Sequence, residues 1–418
     1  MKFAAFLLAA AAAALAQAPY DLLLKGGHVV DGKTKLSAVR DIAVHEGKIA
    51  EIAANIPASK ARRVVNAAGL YVTPGLVDIH VHIYAGTGQR RSYAGDNSVY
   101  PDGYTLRSGV TTVVDAGSSG WRDFPDLKDK VIDRSITRVL AFLNIVGHGM
   151  RGTEVEDNLA DMDAKATADQ AMRYKDIIVG IKTAHYRGPE WTPVERAVEA
   201  GKSANIPVMV DFGLFRSERP FEDLVLKKLR PGDIYTHTFL DRVPMLDDQN
   251  KVRPYLFEAR KRGVIFDVGH GGGSFLWRQA AYAVKQGFIP DSISTDLHIN
   301  SMNAGMKDML NVMSKFLALG MSVDDVIVRS TWHPAREIRR EELGNLAVGS
   351  PADIAVLRLT KGDFGFVDSF GARMSGKEKL ICEMTIKGGK VVYDLNGMSR
   401  DDWQKLGKYG PASDVREH

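Results

Sequence analysis

A single cysteine, Cys382, stands among 418 residues. One thiol excludes an internal disulfide and any metal site built from several thiolates. It lies in the apolar stretch Leu380-Ile381-Cys382, where a small core residue is expected. Long runs of Lys and Arg are missing as well. The 55 basic and 51 acidic residues leave a formal net charge of only +4, so nucleic acid is not an expected partner. No apolar run reaches the roughly 20 residues that span a bilayer. The nearest, Phe3 to Leu15, follows Lys2 and runs into two small-residue patterns, Ala14-Leu15-Ala16 and Ala16-Gln17-Ala18. That order of charge, apolar run and small residues is the layout of a signal peptide. Residues 1–18 are therefore expected to be removed on export, to a periplasm or outside the cell, with no membrane attachment afterwards.

What remains is the composition of a folded chain. Hydrophobic residues make up 45% and charged residues 25%, which suits a sizeable core and argues against disorder. Both ends are rich in short strand patterns. Asp21–Lys25 runs into a glycine turn at Gly26-Gly27, His28–Val30 follows, and Asp31-Gly32 marks a hairpin. Ile42–Val44 and Lys48–Ile52 flank a turn at Glu46-Gly47, and Asp353–Leu357, Glu383–Lys387 and Lys390–Tyr393 read the same way. The phrases Leu24–Val30 and Ile386–Val392 nearly repeat. A small β-sandwich domain from residues 19–72 and 345–400 is expected, with a tail at 401–418.

Residues 73–344 have a regular beat. Short β-branched runs recur at Leu76–His82, Val110–Asp115, Thr137–Ile145, Asp176–Lys182, Ile206–Phe212, Asp233–Phe239, Val264–His270 and Ser292–Asp296. Helical patterns lie between them, such as Thr192–Ser203, which opens on Thr192-Pro193. Alternating strands and helices imply a parallel sheet, and eight such units close into a (β/α)8 TIM barrel.

Catalytic groups of such barrels gather at the C-terminal ends of the strands. The first run ends His80-Val81-His82. Two residues apart on a strand, both imidazoles point the same way and converge as metal donors. The fourth ends in Lys182 after an apolar run. A poorly solvated ammonium favours its neutral amine, which can add CO2 as a carbamate; the alternative is a lysine that snorkels to solvent. The sixth ends at His237 and the eighth at Asp296, which can bind metal and accept a proton from a coordinated water. Metal-type ligands at four of eight strand ends are hard to explain by packing.

The phrase Pro74–His82, together with Lys182, His237, Asp296 and the closing phrase Gly344–Leu357, resembles the amidohydrolase superfamily. Gly109–Ser118 and Phe266–Phe275 resemble its dihydroorotase-like deacetylase branch. The resemblance covers almost the whole chain after residue 18. It implies a hydrolase that removes acyl groups from small carboxylic or amino acids, with one or two divalent ions, zinc first and manganese second, and a carbamate on Lys182. One position departs. Where the family carries a strand-5 histidine, Pro207-Val208-Met209-Val210 is followed by Asp211. Asp211 can replace the imidazole as a ligand, the site can hold one ion, or His185 can fill the gap.

The resulting ligand set is His80, His82, Lys182, Asp211, His237 and Asp296, with Asp296 moving the proton. His270, Gly271 and Arg151 are candidate contacts to a small anionic substrate. Tyr84, Tyr93 and Tyr100 are candidate pocket walls, whereas His28, His45 and His333 are read as structural. A cyclic-amide hydrolase, a dipeptidase and an inactive secreted binding protein remain alternatives, and a homo-oligomer stays open.

Overall fold

The computed structural model describes residues 18–407. The expected signal peptide therefore lies outside the described residues, apart from Ala18. Among the described residues no helix is long and apolar enough to cross a membrane.

The chain opens with β1 (Tyr20–Asp31), β2 (Leu36–His45), β3 (Lys48–Ala53), β4 (Ala61–Asn66) and β5 (Tyr71–Pro74). A parallel series follows: β6 (Leu76–Val81), β7 (Val110–Gly120), β8 (Arg138–Asn144), β9 (Ile178–Thr183), β10 (Val208–Val210), β11 (Ile234–Tyr235) and β12 (Ile265–Phe266). The chain then returns through β13 (Ile354–Val367), β14 (Arg373–Lys387) and β15 (Lys390–Asp394).

Strands from both ends build one hydrogen-bonded sheet, ordered β15-β14-β13-β5-β1-β2-β3, with β4 also on β1. This corrects the expected sandwich of two sheets. The reason lies in β1. Its first half, Tyr20–Lys25, pairs with β4, and its second half, at His28 and Val29, pairs with β5. The change of partner falls at a bulge around Gly26-Gly27, where Gly26 takes a φ of +71° that a side chain would resist. Those glycines therefore interrupt a strand rather than end it. In the near-repeat, Gly388-Gly389 does make the turn, between β14 and β15. Leu22, Val29, Ile42, Val356 and Ile386 share one apolar cluster across the sheet.

The middle of the chain forms a parallel sheet of seven strands in the order β6 to β12. On one face, Val77 and Ile79, Val114 and Ala116, and Leu140 and Phe142 alternate inward and pack with Ala335, Ile338 and Leu343. Helices, including Thr192–Ser203 as expected, lie between the strands. The expected eighth strand at Ser292–Asp296 forms no ladder. It makes isolated parallel bridges, Asp267 with Ser292 and Val81 with Leu297. Ile293 N–H donates instead to Arg329 O, and Asp296 has a φ of +52°, both incompatible with a regular strand.

The β13–β14 hairpin is far longer than expected. It pairs from Ile354–Ile386 out to Val367–Arg373 and packs on the helix Met309–Ala318, where Leu380 N–H donates to Ser314 Oγ at 3.0 Å. The hairpin tip thereby reaches the loop after β12, with Trp277 Nε1 donating to Phe366 O at 3.1 Å.

Candidate active site

His80 lies in β6 and His82 one residue beyond it, so the alternation of the strand places both rings on one side. With Asp296 they form a buried three-residue group whose donor atoms lie within 4.8 Å of one another. Asp296 Oδ1 is 3.1 Å from His82 Nε2 and 3.7 Å from His80 Nε2. Each ring is anchored on its other nitrogen. His80 Nδ1 contacts Thr236 Oγ1 at 2.8 Å, and that hydroxyl donates to Asp267 Oδ2 at 2.8 Å. His82 Nδ1 contacts Ser118 Oγ at 2.9 Å, and Ser118 in turn bonds the carboxyl of Asp115. Thr236 uses its hydroxyl proton on Asp267, so His80 Nδ1–H must donate to it and Nε2 keeps its lone pair for the site.

The electrostatics agree. Burial, with Lys182 beside it, pushes the His80 imidazole down to about 3. Burial opposes ionisation of Asp296, but His298, His80 and His82 outweigh it and hold the carboxyl well below its usual range. The neutral imidazole of His80 beside an ionised carboxylate is a donor pair that a divalent cation binds. Asp296 Oδ1 is buried without a hydrogen-bond partner, and an unsatisfied carboxylate oxygen is costly unless an ion or water meets it.

Lys182, in β9, is 0% exposed. Its Nζ lies 3.4 Å from His80 Nε2 and 3.6 Å from Met209 Sδ. Burial lowers its pKa, although Asp211 and Asp296 pull the other way. Gly117 makes the room: a Cβ there would lie 2.7 Å from Lys182 Cβ and Cγ.

A second group faces the first. Asp211 follows β10, and its Oδ2 is 3.2 Å from His185 Nε2 and 3.4 Å from His237 Nε2. His237 Nδ1 contacts Gly269 O at 2.6 Å, and His185 Nδ1 contacts Glu156 Oε2 at 2.6 Å. His185, His237 and Asp296 all adopt positive φ, and such strain in non-glycine residues clusters at functional sites.

Both groups open into one cleft of about 530 Å³ lined by Tyr93, His185, Arg187, Asp211, His237, Arg242, Gly272–Ser274, Asp296 and His298. The expected substrate contacts are distributed differently. Gly271 lies behind Asp296, 2.5 Å from its Oδ2 if a Cβ is built there. His270 is fully buried and is engaged by Lys315 Nζ at 2.5 Å instead of facing the cleft. Arg151 is not among the lining residues; it pairs with Asp123 at 2.8 Å. The cations at the mouth are Arg187 and Arg242. Arg187 is bound to Asp157 at 2.6 Å, whereas the carboxylate nearest Arg242, on Asp241, is 3.9 Å away. His298, two residues past Asp296, was not singled out from sequence, although its spacing repeats that of His80 and His82. Its Nε2 is 3.8 Å from Asp296 Oδ2. Cys382 is buried and His333 bonds Asp291 O, both structural as expected.

An amidohydrolase family model matches residues 277–392. A deacetylase of Agrobacterium fabrum is 34% identical over 356 residues, covering 81% of this chain and 83% of its own. A deacetylase of Enterococcus faecalis is 31% identical over 383 residues, covering 90% and 99%. The chain belongs to the amidohydrolase family. Among solved structures, this amidohydrolase is similar to an adenine deaminase, with a TM-score of 0.81 at 30% identity over 90% of this chain and 100% of that one. It is also similar to a dihydroorotase, with a TM-score of 0.77 at 30% identity over 89% and 99%. It is a hydrolytic enzyme, with a candidate metal group at His80, His82 and Asp296.

Proposed function

We propose that this amidohydrolase is a divalent-metal deacylase that removes an acyl group, acetyl being the simplest, from a small carboxylic or amino acid by cleaving an amide or ester. One observation carries the reading: a buried, unpartnered Asp296 oxygen within 4 Å of two anchored imidazoles. The deacetylase names of the relatives support the acyl product.

His80, His82 and Asp296 would hold one ion, and Asp211 and His237 would offer donors to a second. Zinc suits this nitrogen and carboxylate set, and the added charge of Asp211 also admits manganese. Lys182, its neutral amine favoured by burial, would add CO2 with release of a proton, and the carbamate would supply a further carboxylate to the metal group. When bound, the metal supplies Lewis acidity, which makes a water nucleophilic near neutral pH and polarises the substrate carbonyl. The Asp296 carboxylate takes the proton of the attacking water and returns it to the leaving nitrogen or oxygen. Arg242 and the backbone N–H groups of Gly272–Ser274 give the cleft wall its affinity for a substrate carboxylate.

Residues 292–297 serve as the eighth stave of a (β/α)8 barrel; their bridges to the strands on either side support this. The pattern in residues 1–18 supports export.

The test is elemental mass spectrometry on the purified mature protein, paired with acetate release from N-acetyl amino acids and acetyl esters after Zn²⁺ or Mn²⁺ and bicarbonate are supplied. Bound metal with acetate release is expected. Absence of both would overturn the reading, and ring opening of a cyclic amide without acid release would move the enzyme to the cyclic amidases.

A further inference from the structure

We propose that His185 and Asp211 together ligate a second divalent ion, the imidazole having moved from strand 5 to the segment after β9, with Glu156 aiming it. The inference rests on the metal reading above and names the ligands of its second ion.

The position that resembles a strand-5 histidine holds Asp211, but an imidazole is not lost from the neighbourhood. β9 and β10 are adjacent, with Thr183 paired to Val210 and Asp211 N–H donating to Thr183 O at 3.0 Å. His185, three residues past Lys182, is thereby brought beside Asp211. Its backbone sits at a φ of +60°, uncommon for a residue with a side chain and most often met at functional sites and turns.

The ring is held at its far nitrogen. Glu156, itself buried, has Oε2 2.6 Å from His185 Nδ1. The Nδ1 proton is thus committed, and Nε2 faces Asp211 Oδ2 at 3.2 Å. From the opposite side, His237 Nε2 faces the same oxygen at 3.4 Å, its Nδ1 bonded to Gly269 O. The donor types match those of the first group, whose three donor atoms all lie within 4.8 Å of one another, whereas here the two imidazoles stand further apart on either side of Asp211. In both, one carboxylate oxygen stands between two imidazole Nε2 atoms, and each imidazole is anchored at Nδ1 to a fixed acceptor. All three residues line the same cleft as Asp296.

The rival is a purely structural chain in which His185 bridges Glu156 and Asp211. Metal content and ligand-field spectra separate the two. The wild-type holoenzyme is expected to hold two ions per chain. His185→Ala should retain the ion of His80 and His82 and bind the other more than ~100-fold more weakly, beyond the ~10–100-fold typical of a lost outer-shell partner. His185→Gln covers the case in which the alanine variant fails to fold, and thermal melting is recorded for each. In the Co²⁺-loaded protein, His185→Cys should show a thiolate-to-cobalt charge-transfer band. Glu156→Gln should weaken the second ion ~10–100-fold without abolishing it. Asp211→His placed in the His185→Ala background should restore it. Two ions bound with wild-type affinity in the His185 variants, or a Co²⁺-loaded cysteine variant without the band, would overturn the inference. One ion in the wild type, unchanged by His185→Ala, would also overturn it while leaving the hydrolase reading intact. No ion at all would overturn both.

Discussion

Lys315 Nζ lies 2.5 Å from His270 Nε2, and this contact fastens the tip of the β13–β14 hairpin to the wall of the cleft. Within the same apolar shell, Lys315 also donates to Gly305 O at 2.9 Å and Val367 O at 2.7 Å. Phe275 stacks on His270 at 4.6 Å and receives the Lys315 cation over its ring at 5.1 Å. Burial pushes the lysine down to about 7. His270 leads directly into Gly271–Ser274, so the fastening reaches the substrate wall.

Lys315→Met should therefore act at two places. It strands His270 and two carbonyls, at about 1–3 kcal/mol for each buried group left without a partner, and should lower the melting temperature. It should also raise KM several-fold by releasing Gly272–Ser274, with a smaller change in kcat because the spacing of His80, His82 and Asp296 does not depend on it. Michaelis kinetics alongside thermal melts test this; an unchanged KM would make Lys315 a stabilising residue only.

Asp296→Asn keeps the shape of the side chain and removes its basicity. kcat should fall by about 10²–10⁴, the range of a lost general base, with the folded state retained. Single-turnover acetate release and circular dichroism report the two separately. Activity within about tenfold of wild type would place the proton transfer elsewhere.

Thr236→Val should weaken metal binding without touching a ligand. The hydroxyl between His80 Nδ1 and Asp267 Oδ2 fixes the tautomer and tilt of His80. Its removal is expected to reduce affinity for the first ion ~10–100-fold, measured by competition with a chromophoric chelator. Unaltered affinity would show that ring packing alone orients His80.

Acid stability offers a check remote from the metal. Asp353 accepts from Arg138 at 2.6 Å and Lys387 at 2.8 Å. Burial works against its ionisation, but Lys387 and Arg138 prevail and lower its pKa. A carboxyl with a depressed folded-state pKa adds stability that is fully present above its unfolded pKa and is lost as pH falls through the folded value. Urea midpoints of the wild type should thus decline as pH drops below the ordinary carboxylate range. Asp353→Asn should be less stable by about 1.5–3 kcal/mol at neutral pH, the range of a lost hydrogen bond to a charged group, and show a shallower acid slope. Parallel pH profiles would remove Asp353 from the acid response.

The parts of the site that were legible in sequence are those carried by local pattern. His80 and His82 close an apolar strand two residues apart, and Lys182 ends another, so strand geometry alone puts them at one end of the sheet. β10, β11 and β12 came out shorter than their apolar runs because the chain leaves the ladder to aim its ligands: His237 has a φ of +61° and Gly269 one of +47°. Positive φ at a histidine or aspartate has no sequence signature, and it also cost the eighth segment its ladder. His270 was misplaced because its partner, Lys315, arrives 45 residues later on a helix. The outer half of the β13–β14 hairpin was missed because its polar residues, Lys361 to Asp363 and Lys377 to Lys379, read as loop; packing against Met309–Ala318 makes it sheet. The single branched sheet was hidden for the same reason, since the partners of β1 lie far along the chain.

That sheet has a consequence for the order of assembly. Thr73 pairs with Ala355 and Val72 with Val356, so β5 gains its second neighbour only after every βα unit between them has been synthesised. Contacts closing so long a loop form slowly. The terminal strands are expected to dock last, onto a parallel sheet already formed, and until then the apolar edge of β5 stays open to pairing with another chain.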